Sequence, residues 1–251
     1  MKQIYLMYHD VYRESLQESG FDTNGANHYK ITESQFIEQL ELLLAFVRDN
    51  RLRKEDVILT FDDGGISFSE VIMPLLDKYG FNGHFYISSD YIGTKGFMTS
   101  DDIKRLADGG HIIGSHSCSH PSNLSSMKKD ERDREWRESV EKLNSITGSQ
   151  TNEVSIPNGY FTKEDVAQFK SLGIDTIYTS TIGEKKIVDD VSVMGRIAID
   201  ANTTIDDFKQ LIEGGWLLKK LVVRQAILQA IKSILGNNYI AIKKTVRKWI
   251  R

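Results

Sequence analysis

Short apolar runs rich in β-branched residues alternate with amphipathic stretches through the first two hundred residues. No other feature constrains the fold as strongly. "QIYLMY" (3–8), "VILTF" (57–61), "GHFYIS" (83–88), "HIIGS" (111–115), "EVSIP" (153–157), "IDTIYTS" (174–180) and "VMGRIAI" (193–199) read as strands. Helical spacing fills the intervals. In "ITESQFIEQLELLLAFVRD" (31–49), Phe36, Leu40, Leu43, Leu44 and Val47 recur on one face behind a Thr32 cap with Gln35 three residues on. Residues 68–79 predict a helix started or kinked at Pro74. "TSDDIKRLADGG" predicts a capped helix closed by glycine, and 125–148 a charged helix whose Trp136, Val140 and Leu143 face inward. "KEDVAQFKSLG" (163–173) is a further helix, and "GFDTNGANHYK" (20–30) reads as loop. Strands joined through helices must run parallel, so the pattern predicts βαβ units around a parallel sheet in one large α/β domain.

Charge divides the chain unevenly. No acidic residue follows Glu213, whereas residues 216–251 hold nine basic groups: Lys219, Lys220, Arg224, Lys232, Lys243, Lys244, Arg247, Lys248 and Arg251. Setting those aside leaves 23 basic against 35 acidic residues, a net charge of −12, so no nucleic-acid partner is expected for the body. The expected division is a catalytic domain over 1–213 and a basic, helical C-terminal extension over 214–251 that contacts an anionic membrane surface through 216–251. Packing of its apolar residues onto the body is the competing expectation. Cys118 is the sole cysteine, which excludes an internal disulfide. The opening "MKQIYLMYHDV" lacks the pattern of an export signal, so a cytoplasmic location, peripheral at the inner face of the membrane, is expected.

In parallel α/β folds, chemistry gathers at the carboxyl ends of strands. Three polar groups fall there. Asp62 and Asp63 follow "VILTF", and Gly64 and Gly65 let the backbone turn away after them. Consecutive side chains on extended backbone point apart, so the two carboxylates need not share a role. His116 and His120, in "GSHSCSHP", are spaced to converge on one ion in a compact loop. With one carboxylate they form a three-ligand set with an open position, as expected of a catalytic divalent metal. The third group, "SIPNGYF" (155–161), is a Pro-Asn-Gly turn at a strand end.

These residues together resemble the polysaccharide deacetylase family, the NodB-homology carbohydrate esterases. Its TFDDG motif is intact as Thr60-Phe61-Asp62-Asp63-Gly64, and its histidine motif as His116-Ser117-Cys118-Ser119-His120-Pro121 after Gly110-His111-Ile112-Ile113-Gly114. "LMYHDV" and the helix after "YKIT" are similar to the branch acting on poly-N-acetylglucosamine. The resemblance spans about residues 4–200 and implies a distorted (β/α)7 barrel. It makes Asp63, His116 and His120 the ligands of a divalent metal, zinc first, with cobalt or nickel as alternatives. Asp62 becomes the general base for the water that attacks an acetamide carbonyl, and Pro157, Gly159 and Tyr160 line the substrate and oxyanion position. The implied activity is removal of the N-acetyl group from an amino sugar of a bacterial surface glycan or its lipid- or nucleotide-linked precursor.

Two departures bear on that expectation. Where many members have Arg-x-Pro-x-Gly, this chain has Ser155-Ile156-Pro157-Asn158-Gly159; Arg196 is the candidate to replace the arginine beside Asp62. The late Leu-x-His motif that supplies the general acid is missing, since no histidine follows His120. His9, at the end of the first strand, is the candidate acid. A glycan-binding relative without activity, or an amidohydrolase of another small amide, are the competing expectations.

Overall fold

A computed structural model of the chain describes residues 3–159 and 161–235. Eleven strands are present among them. They are β1 (Ile4–Tyr8), β2 (Val11–Tyr12), β3 (Ile31–Thr32), β4 (Val57–Asp63), β5 (Gly83–Ile87), β6 (Ile112–Ser115), β7 (Glu153–Ser155), β8 (Thr176–Thr179), β9 (Lys185–Val188), β10 (Val191–Gly195) and β11 (Ile197–Ala198). The helices are α1 (Asn24–Asn27), α2 (Glu33–Asp49), α3 (Met73–Tyr79), α4 (Ser100–Asp108), α5 (Lys129–Thr147), α6 (Lys163–Ser171), α7 (Ile205–Ile212) and α8 (Trp216–Leu235).

Nine strands form one sheet in the order β11-β1-β4-β5-β6-β7-β8-β10-β9, parallel except where β9 runs antiparallel to β10. The ends of that order explain how the sheet curls. β10 pairs with β8 and β11 pairs with β1, yet a single residue, Arg196, separates β10 from β11. One nearly continuous strand therefore belongs to both ends of the sheet. Counted that way, seven parallel staves surround the interior, which is the distorted (β/α)7 barrel expected from the sequence.

Local rules account for the helices. Thr32 caps α2 in a reciprocal capping box with Gln35, and Thr99 and Thr162 do the same for α4 and α6 with Asp102 and Asp165. Pro74 sits in the first turn of α3, where its missing N–H costs nothing. The charged helix α5 buries Trp136, Val140 and Leu143 as its periodicity predicts, and Trp136 meets Phe169 of α6 edge-on at 4.8 Å. Phe61 of β4 stacks on Phe85 of β5, and Phe68 packs edge-on to the first and tilted to the second, so the strand ends stand on a packed aromatic cluster.

The described residues divide into two compact units, one up to Phe208 and one from Lys209 onward. Within the described residues, no helix is long and apolar enough to cross a membrane. The part of the expected helical extension beyond residue 235, and Tyr160, lie outside the described residues.

Candidate active site

The aspartate pair does not follow β4 but ends it. All seven residues of the strand are buried, Asp62 and Asp63 included, and the pair lies in register with Tyr86 and Ile87 of β5. Both carboxylates line one cavity but meet different partners there. Asp63 has a positive φ of 94°, followed by Gly64 at 98°, which swings the chain away immediately after the pair. Gly65 is required for a different reason: a Cβ there would stand 1.9 Å from Asp10 Oδ1. Asp10 itself holds the neighbouring loops by accepting hydrogen bonds from Ser19 at 2.5 Å and Ser67 at 2.8 Å.

Asp62 is met by Arg196. The guanidinium donates to both carboxylate oxygens at 2.7 Å, to Ser155 Oγ at 2.8 Å, to Thr60 Oγ1 at 2.9 Å and to the Thr179 carbonyl at 3.2 Å. Ser155 Oγ also donates to Asp62 Oδ2 at 2.9 Å. Burial by itself pushes the Asp62 carboxyl up. The charges of Arg196 and His116 and the bonds from the guanidinium outweigh it and hold Asp62 well below the usual carboxylate range. Arg196 can reach this point because it occupies the joint between β10 and β11. Ser155, which stands where the family pattern has arginine, is small enough to admit a guanidinium arriving from another strand. The face of Arg196 lies over Tyr86 and Tyr178, 5.7 Å from each ring.

Asp63 is met by the histidines. Nε2 of His116 and Nε2 of His120 each lie 3.4 Å from Asp63 Oδ1, a buried oxygen without a hydrogen-bond partner among the described residues. The ligand atoms of the three side chains all fall within 4.8 Å of one another. His116 Nδ1 lies 2.8 Å from the carbonyl of Ser155, which can only accept, so Nδ1 carries the proton and Nε2 is left as a lone-pair donor. Burial and the neighbouring His116 lower His120 to about 4, so its imidazole is neutral and ready to ligate. Burial also opposes a charge on His116, but Asp62 and Asp63 together raise it. An orphaned buried oxygen faced by two imidazole nitrogens is the donor set of a divalent metal centre, and the residues fit one.

The histidine loop keeps its shape under strain. Ser117 and His120 have positive φ values of 64° and 52°. Non-glycine residues in that region cost about 1–3 kcal/mol each and need support. Glu135 of α5 supplies it, accepting from the N–H groups of Cys118 at 3.0 Å and Ser119 at 2.9 Å and from Ser119 Oγ at 2.8 Å.

Around these groups lies a cavity of about 470 Å³ whose wall includes His9, Phe21, Tyr29, Tyr91, Asn158 and Ser180. His9 follows β1 at the rim, its ring stacked on Tyr29 with 4.7 Å between centroids and its buried Nδ1 without a partner among the described residues. Of the predicted substrate turn, Pro157 is buried and Asn158, with φ of 57°, faces the cavity alongside Ile156. The Gly159 N–H is already bonded to the Ile156 carbonyl at 3.0 Å, which removes it as an oxyanion donor. The wall from Phe21 to Tyr29 was not foreseen, because that stretch carries only loop signals in the sequence. Ser155 and Glu135 were missed as well; only the position of Ser155 in the arginine-containing motif pointed to it.

The family profile described as "Polysaccharide deacetylase" matches residues 49–177, a little over half the chain. The chain belongs to the polysaccharide deacetylase family. A peptidoglycan-N-acetylmuramic acid deacetylase of Bacillus subtilis is 30% identical over 130 residues, covering 51% of this chain and 48% of that protein. A Streptococcus pyogenes deacetylase solved with acetate shares the fold with a TM-score of 0.67 at 22% identity, over 84% of this chain and 98% of that one. A Bacillus cereus polysaccharide deacetylase gives a TM-score of 0.67 at 23% identity, over 84% and 69%. The first curated relatives are longer: the matches span 59%, 48% and 64% of their lengths.

Proposed function

We propose that this deacetylase removes the N-acetyl group from an amino sugar of a bacterial surface glycan, or from its lipid- or nucleotide-linked precursor, releasing acetate. One observation carries the reading: an Asp63–His116–His120 donor set sits beside a second carboxylate, Asp62, that is kept ionised and oriented by Arg196. When bound there, a divalent ion supplies Lewis-acid polarisation of the acetyl carbonyl and makes the attacking water more acidic.

The chain's own groups do the rest. Asp62 accepts the proton of the attacking water. Its bidentate pairing with Arg196 fixes the carboxylate direction and keeps it ionised through the neutral range, at a cost in basicity that the ion's effect on the water offsets. His9, a cavity-wall residue whose buried Nδ1 has no partner among the described residues, is the group we assign to protonate the departing amine, the role left open by the missing late histidine. Tyr29, held by stacking on His9, and Phe21, edge-on to Tyr91 at 4.7 Å, offer apolar faces for a pyranose ring. Relatives named as peptidoglycan and chitin deacetylases support an N-acetylated sugar as the substrate class. The "LMYHDV" opening that places His9 supports the poly-N-acetylglucosamine branch.

The test is acetate release from a panel of nucleotide-linked, lipid-linked and oligomeric N-acetyl sugars by protein loaded with zinc, cobalt or nickel. Activity on at least one class, lost in Asp62→Asn, is expected. Acetate release by Asp62→Asn equal to that of the parent refutes the role given to Asp62.

A further inference from the structure

Helix α8 turns an apolar stripe outward. At 3.6 residues per turn, Trp216, Val223 and Ile227 fall along one narrow line of the helix. They are 68%, 59% and 54% exposed, whereas Leu217, Leu218 and Leu221 on the other side are partly covered. Lys219 flanks the stripe on one side, and Lys220 and Arg224 flank it on the other. Lys220 Nζ lies 4.9 Å from the centre of the Trp216 ring. A surface helix in water places polar residues on its outer line and its aromatics inward. This one places its largest aromatic outward, between cations whose long stems can lie along apolar surface with their charges at its edge.

We propose that α8 is an interfacial docking helix for an anionic lipid bilayer, lying in the surface with Trp216, Val223 and Ile227 inserted and Lys219, Lys220 and Arg224 among the lipid phosphates. Charge complementarity selects this occupant. The sequence has no acid after Glu213, so nothing in the segment neutralises its cations. A second copy would oppose the same cationic face to itself, and a nucleic acid would leave the apolar stripe uncovered. Within the described residues, the helix is not long and apolar enough to span a bilayer, and the surface-lying mode is the one proposed. Each cation near an anionic surface strengthens binding about fivefold, so the three together supply roughly a hundredfold. The proposal does not depend on the catalytic reading, and its test uses no activity measurement.

The experiment is co-sedimentation of the full chain with vesicles of phosphatidylcholine alone and of phosphatidylcholine mixed with phosphatidylglycerol, at low and high salt. The parent is expected to pellet with the anionic vesicles only, less so at high salt. The triple variant Lys219→Glu, Lys220→Glu, Arg224→Glu should lose about a hundredfold or more in affinity. The triple variant Trp216→Ser, Val223→Ser, Ile227→Ser should lose binding while keeping its charge. All six positions are exposed, and circular dichroism checks that both variants fold. Failure of the parent to pellet, equal pelleting with both vesicle types, or binding by either variant equal to the parent overturns the proposal. So does a dimer in sedimentation velocity that the apolar variant abolishes, since a second copy would then be the occupant.

Discussion

Replacing Arg196 by methionine keeps most of the side-chain volume between Tyr86 and Tyr178 but removes the partner of a carboxylate that is 3% exposed. Five hydrogen bonds from the guanidinium disappear, two of them to Asp62 at 2.7 Å. Breaking a buried pair by deleting one member leaves an uncompensated charge and costs about 3–5 kcal/mol. The loss should depend on pH in a defined direction. In the parent, Asp62 is held below its unfolded value, so its stabilising contribution is present above about pH 4 and fades only in stronger acid. Without Arg196, burial is opposed only by the Ser155 hydroxyl and the histidines, and the Asp62 carboxyl rises. The variant is then relieved by protonation, so the stability gap is widest at neutral pH and narrows as the solution is acidified. Urea denaturation of both proteins in chelator, at neutral and mildly acidic pH, measures that gap. A cycle with Asp62→Asn should give a coupling of about 1–3 kcal/mol. A variant as stable as the parent at neutral pH, or a gap that widens in acid, refutes the reasoning.

Other outcomes follow from the same geometry. Glu135→Ala removes the acceptor for three loop donors and should weaken metal binding about 10–100-fold, read by competition with a chelator, while the circular dichroism spectrum stays unchanged. His9→Gln should lower the rate of acetate release from an N-acetyl sugar about 10²–10⁴-fold. The loss should be smaller on an activated O-acetyl ester, whose leaving group needs no proton, and equal losses on the two substrates would remove His9 from the acid role. Trp136→Ala empties the contact between α5 and α6 and should cost about 3–5 kcal/mol in urea denaturation with little change in the rate of the surviving folded protein.

Much of the fold was legible because hydrophobic period and capping chemistry agree along α2, α4, α5 and α6. The metal donor set was legible because short motifs at strand ends carry it. Long-range meetings were legible only through family resemblance: Arg196 was expected beside Asp62 on that ground and pairs with it, although the two are 134 positions apart and nothing local marks them as partners. The strand reading stopped at Phe61, since two buried aspartates contradict strand propensity. They are tolerated because Arg196 satisfies one and the imidazoles face the other. Edge strand β9 was missed because its Lys185, Lys186 and Ile187 are exposed and carry no alternation toward a core. The wall of Phe21 and Tyr29 follows from the Asp10–Ser19–Ser67 anchoring of a segment that reads as plain loop.

The central claim is that Asp63, His116 and His120 hold the ion that deacetylation requires. Metal-stripped protein titrated with zinc, with acetate release followed at each addition, tests it most directly. Activity should rise from background and saturate at one ion per chain, and His116→Ala should show no such rise. Full acetate release in excess chelator, or saturation unchanged in His116→Ala, contradicts the account.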